Sequence, residues 1–323
     1  MTRYVIRRLL WAVVLFLAVT VVTFVIFFVI PVNPAAMVAG KAATPQEIQR
    51  VEHALYLDKP VYVQYWHFLS QLIFHHSLGY SYGNRQPVNS IIAQAWPRTA
   101  AVVIGGAILW MLLAIPVGIY SALRPRSKVD RGAMLFVLAG ISAHPVWIGY
   151  MLSLIVGYNL GWLPVQGYCN FTGASPGQLC GGPVDWFTHM ILPWITFAIL
   201  YSAFYVRMIR SSVMETLNED YVRTARAKGA PERTVIRRHA LRNAMLPVVT
   251  MLGMDVAVAL GGAVFVEIVF GLQGLGWWAV QSVFTFDLPT IMGTVVFASL
   301  AVIVLNLLID LLYAWIDPRI RLA

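Results

Sequence analysis

Three groups of residues in this chain have the types and spacing to do chemistry. Asp255 is the one formal charge in an apolar run from Ala244 to Val266. A carboxylate near the centre of such a helix costs about 2.5–3.5 kcal/mol on insertion scales, so it must face a cavity or a partner rather than lipid. Met251 lies one helical turn before it, and Glu267 sits at the end of the same run, where water reaches more easily. The second group is basic: nine of the 23 Lys and Arg residues fall between Arg207 and Arg242, where a patterned, alanine-rich stretch separates two apolar runs. The third is Cys169 and Cys180, which share one connection.

Several chemistries are excluded by what the spacing lacks. There is no H-E-x-x-H and no nucleophile–base arrangement of an intramembrane enzyme. No G-x-x-x-x-G-K-[ST] phosphate loop occurs, so any ATP must be handled by another chain. Gly271, Gly274 and Gly276 are the nearest look-alike, and they read as a turn because no lysine follows. His75 and His76 are sequence neighbours, which on a helix point about 100° apart and do not chelate together. His144 and His189 fall in different apolar runs and read as packing residues, so no metal site is expected.

The elements that must position these groups follow from composition. Of 323 residues 59% are hydrophobic and 11% charged, with mean hydropathy +0.72. Soluble domains carry about 25% charged residues, so this is an integral membrane protein in a lipid bilayer, and its spans are expected to be helices in an all-α fold. Six runs are long enough to span it: Leu9 to Ile30, Thr99 to Leu123, Gly132 to Tyr158, Trp186 to Val206, Ala244 to Val266 and Leu288 to Ile309. The first is too long for a signal peptide's apolar region of about 7–15 residues, and is expected to be retained. Pro116, Pro145, Pro193 and Pro247 are expected to bend these helices.

The net charge of +9 is distributed in a way that argues against nucleic acid. Arg3, Arg7 and Arg8 precede the first run; Arg124, Arg126, Lys128 and Arg131 follow the second; the group of nine follows the fourth; Arg319 and Arg321 follow the sixth. Cations on alternate connections are the positive-inside signature, which places both termini in the cytoplasm. Residues 31–98 then form the large outer segment. Thr44, Pro45 and Glu47 read as a capped helix start, opening a helix towards Leu57, and Val61 to about His76 reads as a second helix with Tyr65, Leu69, Leu72 and Ile73 on one stripe. Both helices are expected along the membrane surface. The cysteines fall in an outer loop, where oxidising conditions favour a disulfide worth about 3 kcal/mol, two free thiols being the alternative.

The basic connection reads as a helix–turn–helix. Val213, Leu217, Tyr221, Thr224 and Lys228 keep helical spacing over Ser211 to Lys228, Gly229 suits a left-handed exit, and Pro231 suits a helix start. Small Ala225 and Ala227 leave room for another protein's side chains.

From Asp220 the residues DYVRTARAKG, followed by RHALRNAMLPVV, resemble the cytoplasmic loop of the permease subunits of ATP-binding-cassette importers, in their peptide and nickel branch. Of the general signature, EAA, three residues, Gly, nine residues, I-x-L-P, the chain keeps Ala225, Gly229 and Leu241 and departs elsewhere. SLGYSYGNRQPV, GWLPVQG, GGAVFVEIVFGLQGLG and NLLIDLLYAWIDPRIR resemble further segments of the branch's B-type permease, in the same order.

The resemblance implies six transmembrane helices in the type I importer arrangement: an N-terminal helix (1–30), an outer helical segment (31–98) and a five-helix core (99–323). That core contains a coupling loop (207–243). Implied partners are a second related permease, two cytoplasmic ATP-binding subunits carrying ATP and magnesium, and an external substrate-binding protein, in a bacterial cell membrane. Contact with the ATPase falls to Asp220, Tyr221, Arg223, Thr224, Ala225, Arg226, Lys228, Gly229, Ala230 and Glu232, where Arg223, Arg226, Lys228 and Arg233 either meet acidic groups or simply mark the cytoplasmic side. Asp255, Met251 and Glu267 fall to the translocation pathway or its gate; Asp255 is left open between a peptide's amino terminus, a protonated state and a partner contact. The cargo expected is di- or oligopeptides, with nickel chelates or glutathione as alternatives. A channel or secondary transporter working without an ATPase is the other reading, and only Asp255 offers it an ion site.

Overall fold

The computed structural model describes residues 2–26, 35, 39, 43–54, 56, 58–81, 83–173, 180–260, 263–285 and 287–316. The expected end of the first span at Ile30, the positions of Lys41, Leu57 and Gly261, and the cations Arg319 and Arg321 lie outside the described residues. In chain order the elements are α1 (Thr2–Phe24), α2 (Pro45–Ala54), α3 (Val61–Phe74), the short hairpin β1 (Tyr80–Ser81) and β2 (Gln86–Pro87), α4 (Val88–Leu123), α5 (Lys128–Ser142), α6 (Pro145–Asn159), α7 (Pro183–Leu217), α8 (Asp220–Ala227), α9 (Glu232–Ala244), α10 (Leu246–Leu260), α11 (Val264–Phe270), α12 (Leu275–Thr285) and α13 (Leu288–Ile316). Both α6 and α9 contain a π-helical stretch, Ser153–Asn159 and Val235–Ala240.

Among the described residues, four helices are long and apolar enough to cross a bilayer, and up to seven spans result if three bent helix pairs are each counted once. The chain is therefore a multi-span helical membrane protein. Two of the expected runs are not single rods. The run from Gly132 to Tyr158 breaks at Ala143 and His144, and α5 and α6 meet at 106°. Pro145 has no N–H to continue the helix, and His144 restarts it by accepting from Val146 N–H at its own Nδ1, 3.3 Å away. The run from Ala244 to Val266 is divided between α10 and α11, with a 41° bend between α9 and α10 just before Pro247. Pro193, by contrast, is accommodated inside α7.

By internal contacts the chain forms two compact units. The first comprises residues 1–99, 260–264 and 273–323. Here Thr44 and Glu47 make the expected capping box: Thr44 N–H donates to Glu47 Oε2 at 2.7 Å and Glu47 N–H to Thr44 Oγ1 at 3.4 Å. Thr44 N–H, with the Thr44 hydroxyl donating to the same oxygen at 2.9 Å, holds the Glu47 carboxyl below its ordinary range. The second expected helix ends at Phe74, two residues early, because His76 turns left-handed (φ 49°) before Gly79 is reached. Tyr65 on α3 meets Thr20 of α1 at 3.0 Å, and Phe24 packs on Tyr65 and Phe68. Val88, Ile92, Ala95 and Leu275 form a buried core with Leu78, Trp96, Trp278 and Phe297 around it.

The second unit comprises residues 100–259 and 265–272. Its later part of α4 lies against α7 through small residues. A Cβ on Gly106 would come within 2.9 Å of Phe197, and one on Gly118 within 2.8 Å of Ile209. Lipid gives helices no hydrophobic reason to associate, so close backbone approach and dispersion must do it. Around this seam Trp110 stacks on Tyr201 with ring centres 4.4 Å apart, and Trp194 Nε1 donates to Ala101 O at 2.9 Å.

Gly105→Ala would put a methyl group on the Trp194 indole and displace that hydrogen bond. Overpacking of this kind costs about 1–3 kcal/mol and should lower the melting temperature of the purified chain in detergent. Gly132→Ala, whose Cβ would meet nothing within 4 Å, should leave it unchanged or slightly raised.

Candidate functional site

The basic connection folds as a helical hairpin hung from the end of α7. The expected helix over Ser211 to Lys228 is in fact broken: α7 ends at Leu217, Asn218 closes it, and Glu219 (ψ 147°) is extended before α8 begins. Asn218 Nδ2 donates to Met214 O at 2.9 Å, a side-chain capping bond that competes with continuing the helix. At the far end of α8 the expected turn forms in full. Gly229 takes φ 78°, its N–H donates to Arg226 O at 2.9 Å, and Ala230 N–H donates to Ala225 O at 3.3 Å, which is the Schellman pattern. A Cβ on Gly229 would meet nothing within 4 Å, so the tip of the hairpin faces open space.

The two arms are tied at several levels. Arg226 donates to both carboxylate oxygens of Glu232, from Nε at 3.2 Å and Nη2 at 2.8 Å, across the turn. Asn243 Nδ2 donates to Tyr221 Oη at 2.9 Å, and Thr224 Oγ1 to Asp220 O at 2.8 Å. Val222, Val235, Ala240 and Ala244 are buried, which fastens the hairpin to its base. Ser212 Oγ on α7 donates to Ala244 O at 2.8 Å. The hairpin is therefore a braced arm rather than a loose loop.

Its cations differ in what they do. Arg226 is engaged by Glu232, and Arg223 lies 3.8 Å from Asp220. Lys228 and Arg233 make no ion pair among the described residues, and both are exposed, as are Arg237, Arg238 and Arg242. The arrangement presents exposed positive charge around a small, glycine-tipped protrusion.

One group that the sequence reading did not single out holds the base of this unit. Asp130, in the first turn of α5, is buried, and its carboxylate accepts from Ser121 Oγ of α4, from Arg126 N–H at 2.8 Å, and from Arg210 of α7 at 2.8 Å (Nε) and 3.3 Å (Nη2). Ser127 Oγ caps the same turn by accepting from Asp130 N–H at 3.1 Å. The Ser-x-x-Asp spacing was a legible cap signal. That Arg210 answers the carboxylate was not, since eighty residues separate them.

Within the apolar runs, Asp255 on α10 is partly exposed and accepts from Tyr205 Oη at 2.7 Å. Tyr205 itself is fully buried beside Trp110, and nothing in the sequence marked it. Met251 is half-buried one turn before Asp255. Glu267 is buried on α11, and its carbonyl accepts from Leu272 N–H at 3.0 Å. Two bonds hold the chain around Gly167 to the end of α11: Gln166 Nε2 to Val269 O at 3.1 Å and Gly167 N–H to Phe270 O at 2.9 Å. Cys169 and Cys180 are joined as a disulfide, with Cα atoms 5.5 Å apart. Folding brings His189 to 3.4 Å from Cys169 Sγ, held there by Asp185 O at 2.7 Å. His144 packs edge-on against Phe265.

Comparison with known proteins agrees with the segments noted above. Residues 114–322 match the family model described as binding-protein-dependent transport system inner membrane component, and residues 1–103 match its N-terminal companion. The chain is 35% identical over 325 residues to a Brucella abortus (strain 2308) chain named as a peptide transport system permease protein, covering 99% of each. It is 36% identical over 330 residues to an Escherichia coli (strain K12) chain named as a D,D-dipeptide transport system permease protein, covering 98% of this chain and 97% of that one. It is 38% identical over 321 residues to the glutathione transport system permease protein of Salmonella choleraesuis (strain SC-B67), covering 99% of each.

Arg210→Gln would leave the Asp130 carboxylate buried without its cation. The expected loss is about 3 kcal/mol, at the lower end for broken buried pairs because Arg210 is itself a quarter exposed, and it should appear as a lowered melting temperature. Pairing it with Asp130→Asn should recover a large part of that loss, since no unpaired charge then remains.

Proposed function

Because this chain belongs to the family of binding-protein-dependent transport system inner membrane components, we infer that it works as the permease subunit of an ATP-binding-cassette importer for peptides. It is a multi-pass inner-membrane component of such a system and not an enzyme. The relatives' names specify peptides, D,D-dipeptides and glutathione, and short peptides are the cargo common to them.

The working arrangement is six spans of the type I kind, with both termini and the α8–α9 hairpin in the cytoplasm. A second related permease completes the pathway, two ATP-binding subunits hold the nucleotide and its magnesium, and an external binding protein delivers the cargo. The observation that carries this reading is the braced hairpin with open space at Gly229. Residues Asp220 to Glu232 form its docking end, where Lys228 and Arg233 are available to acidic groups on the ATPase. Closure of the ATPase pair pushes the hairpin. The buried Val222 and Val235 and the Ser212 bond pass that push to α7, and the Asp130–Arg210 pair passes it to α5 and α4. Packed helices of this kind move as blocks rather than bend continuously, so the pathway switches between facing outward and facing inward. Asp255, Met251 and Glu267 line that pathway or its outer gate.

Gly229 gives the cleanest test, because a Cβ there meets nothing within the chain, whereas a large side chain would collide with a docked partner. Gly229→Asn tolerates the left-handed backbone and should transport normally. In correctly inserted protein, Gly229→Trp should lower both peptide uptake and binding-protein-stimulated ATPase activity by about tenfold or more, corresponding to about 1.4 kcal/mol or more of lost docking. Unchanged uptake and stimulation in Gly229→Trp would remove the hairpin from the coupling route.

A further inference from the structure

We propose that Asp255 and Tyr205 form a subsite for the protonated amino terminus of a peptide in transit, a role that rests on the chain being a peptide permease. Asp255 is the one formal charge of α10. Among the described residues it makes one hydrogen bond, from Tyr205 Oη at 2.7 Å, and no ion pair. A carboxylate in hydrocarbon held by a single neutral donor is left short of compensation by a few kcal/mol, and a mobile cation can supply it.

The geometry fixes one edge of the carboxylate and leaves the other open. Tyr205 is wholly buried and wedged by Trp110 and Phe204, with ring centres 6.1 and 5.8 Å away, so its hydroxyl is a fixed donor. It binds Oδ2, which leaves Oδ1 as the accepting edge of a partly exposed side chain. One carboxylate and one phenol are too few oxygens for a divalent metal, which takes six or more ligands in calcium sites. A primary ammonium needs fewer: it is compact, carries one charge and offers three donors.

That ammonium is also the feature a varied set of short peptides has in common. Side chains differ from one cargo to the next, and Met251, one turn before Asp255, offers an unbranched, polarisable surface that adapts to them. A fixed charge for the constant end beside a pliable residue for the variable part is the division a broad-range peptide path requires.

The test uses the assembled transporter with its permease, ATPase and binding-protein partners, and alanyl-alanine as cargo. Asp255→Asn should lower uptake by about tenfold or more, the loss of one charge-assisted hydrogen bond, while ATPase stimulation by loaded binding protein stays within about twofold. Since Cys169 and Cys180 are bonded to each other, Asp255→Cys would supply the one reactive thiol of this chain. A methanethiosulfonate bearing a carboxylate should restore uptake, one bearing an ammonium should not, and the dipeptide with its binding protein should slow the labelling. Wild-type uptake in Asp255→Asn, parallel loss of uptake and ATPase stimulation, or labelling indifferent to peptide would each overturn the subsite. Failure of the wild-type assembly to take up any peptide would instead overturn the functional reading on which it rests.

Discussion

A buried carboxylate that must be fully satisfied governs the second unit of this protein. Asp130 is taken out of water, and a charge so placed is tolerated only when its lone pairs are met. Four donors meet it: the Ser121 hydroxyl, the Arg126 amide and two guanidinium nitrogens of Arg210. Because these come from α4, the α4–α5 turn and α7, satisfying one side chain fixes three elements together. Arg210 lies two turns before α7 ends at Leu217, so the hairpin's mounting point is set by the same contact.

The rest of that unit is consistent with helices that meet as rigid surfaces. Gly106 and Gly118 let α4 approach α7 closely, and Gly140 does the same for α5 at Ala203. The hairpin is stiffened by buried aliphatic residues at its base and, more weakly, by local bonds such as the exposed Arg226–Glu232 pair. A stiff arm on a clamped helix transmits displacement; a flexible one would dissipate it in loop motion. In the first unit another buried carboxylate, Asp287, is met on one side only: its Oδ1 has no hydrogen-bond partner among the described residues. Its Oδ2 accepts from Ser81 Oγ of β1 and from Thr290 Oγ1 of α13, so one oxygen ties a β-turn segment to the start of a helix.

Function then divides between what this chain supplies and what it receives. On the proposed reading it supplies a path through the membrane, with the Asp255 carboxylate bonded to a buried tyrosine, and an arm by which the path is moved. On the same reading energy enters from ATP-binding partners; the family itself is one of binding-protein-dependent transport components. A protein of this kind needs no nucleophile or phosphate cradle, only positions where force and cargo are accepted.

The class of this protein was legible from the amino-acid sequence because hydropathy, charge alternation and turn chemistry are local properties. The apolar runs, the Thr44–Glu47 cap, the Gly229 turn and the family-like segments each lie within a few tens of residues, where periodicity and backbone preference act. The Cys169–Cys180 pair was likewise close enough in sequence to anticipate. Tertiary structure alone decided the rest. Tyr205 meets Asp255 across fifty positions, Arg210 meets Asp130 across eighty, and Ser81 meets Asp287 across two hundred, so no spacing rule could pair them. That Pro145 bends its run was expected from the sequence, but the 106° angle between the two helices was not. Hydropathy reports how apolar a segment is, whereas direction is settled by which neighbouring backbone and side-chain groups meet it once the helices have packed.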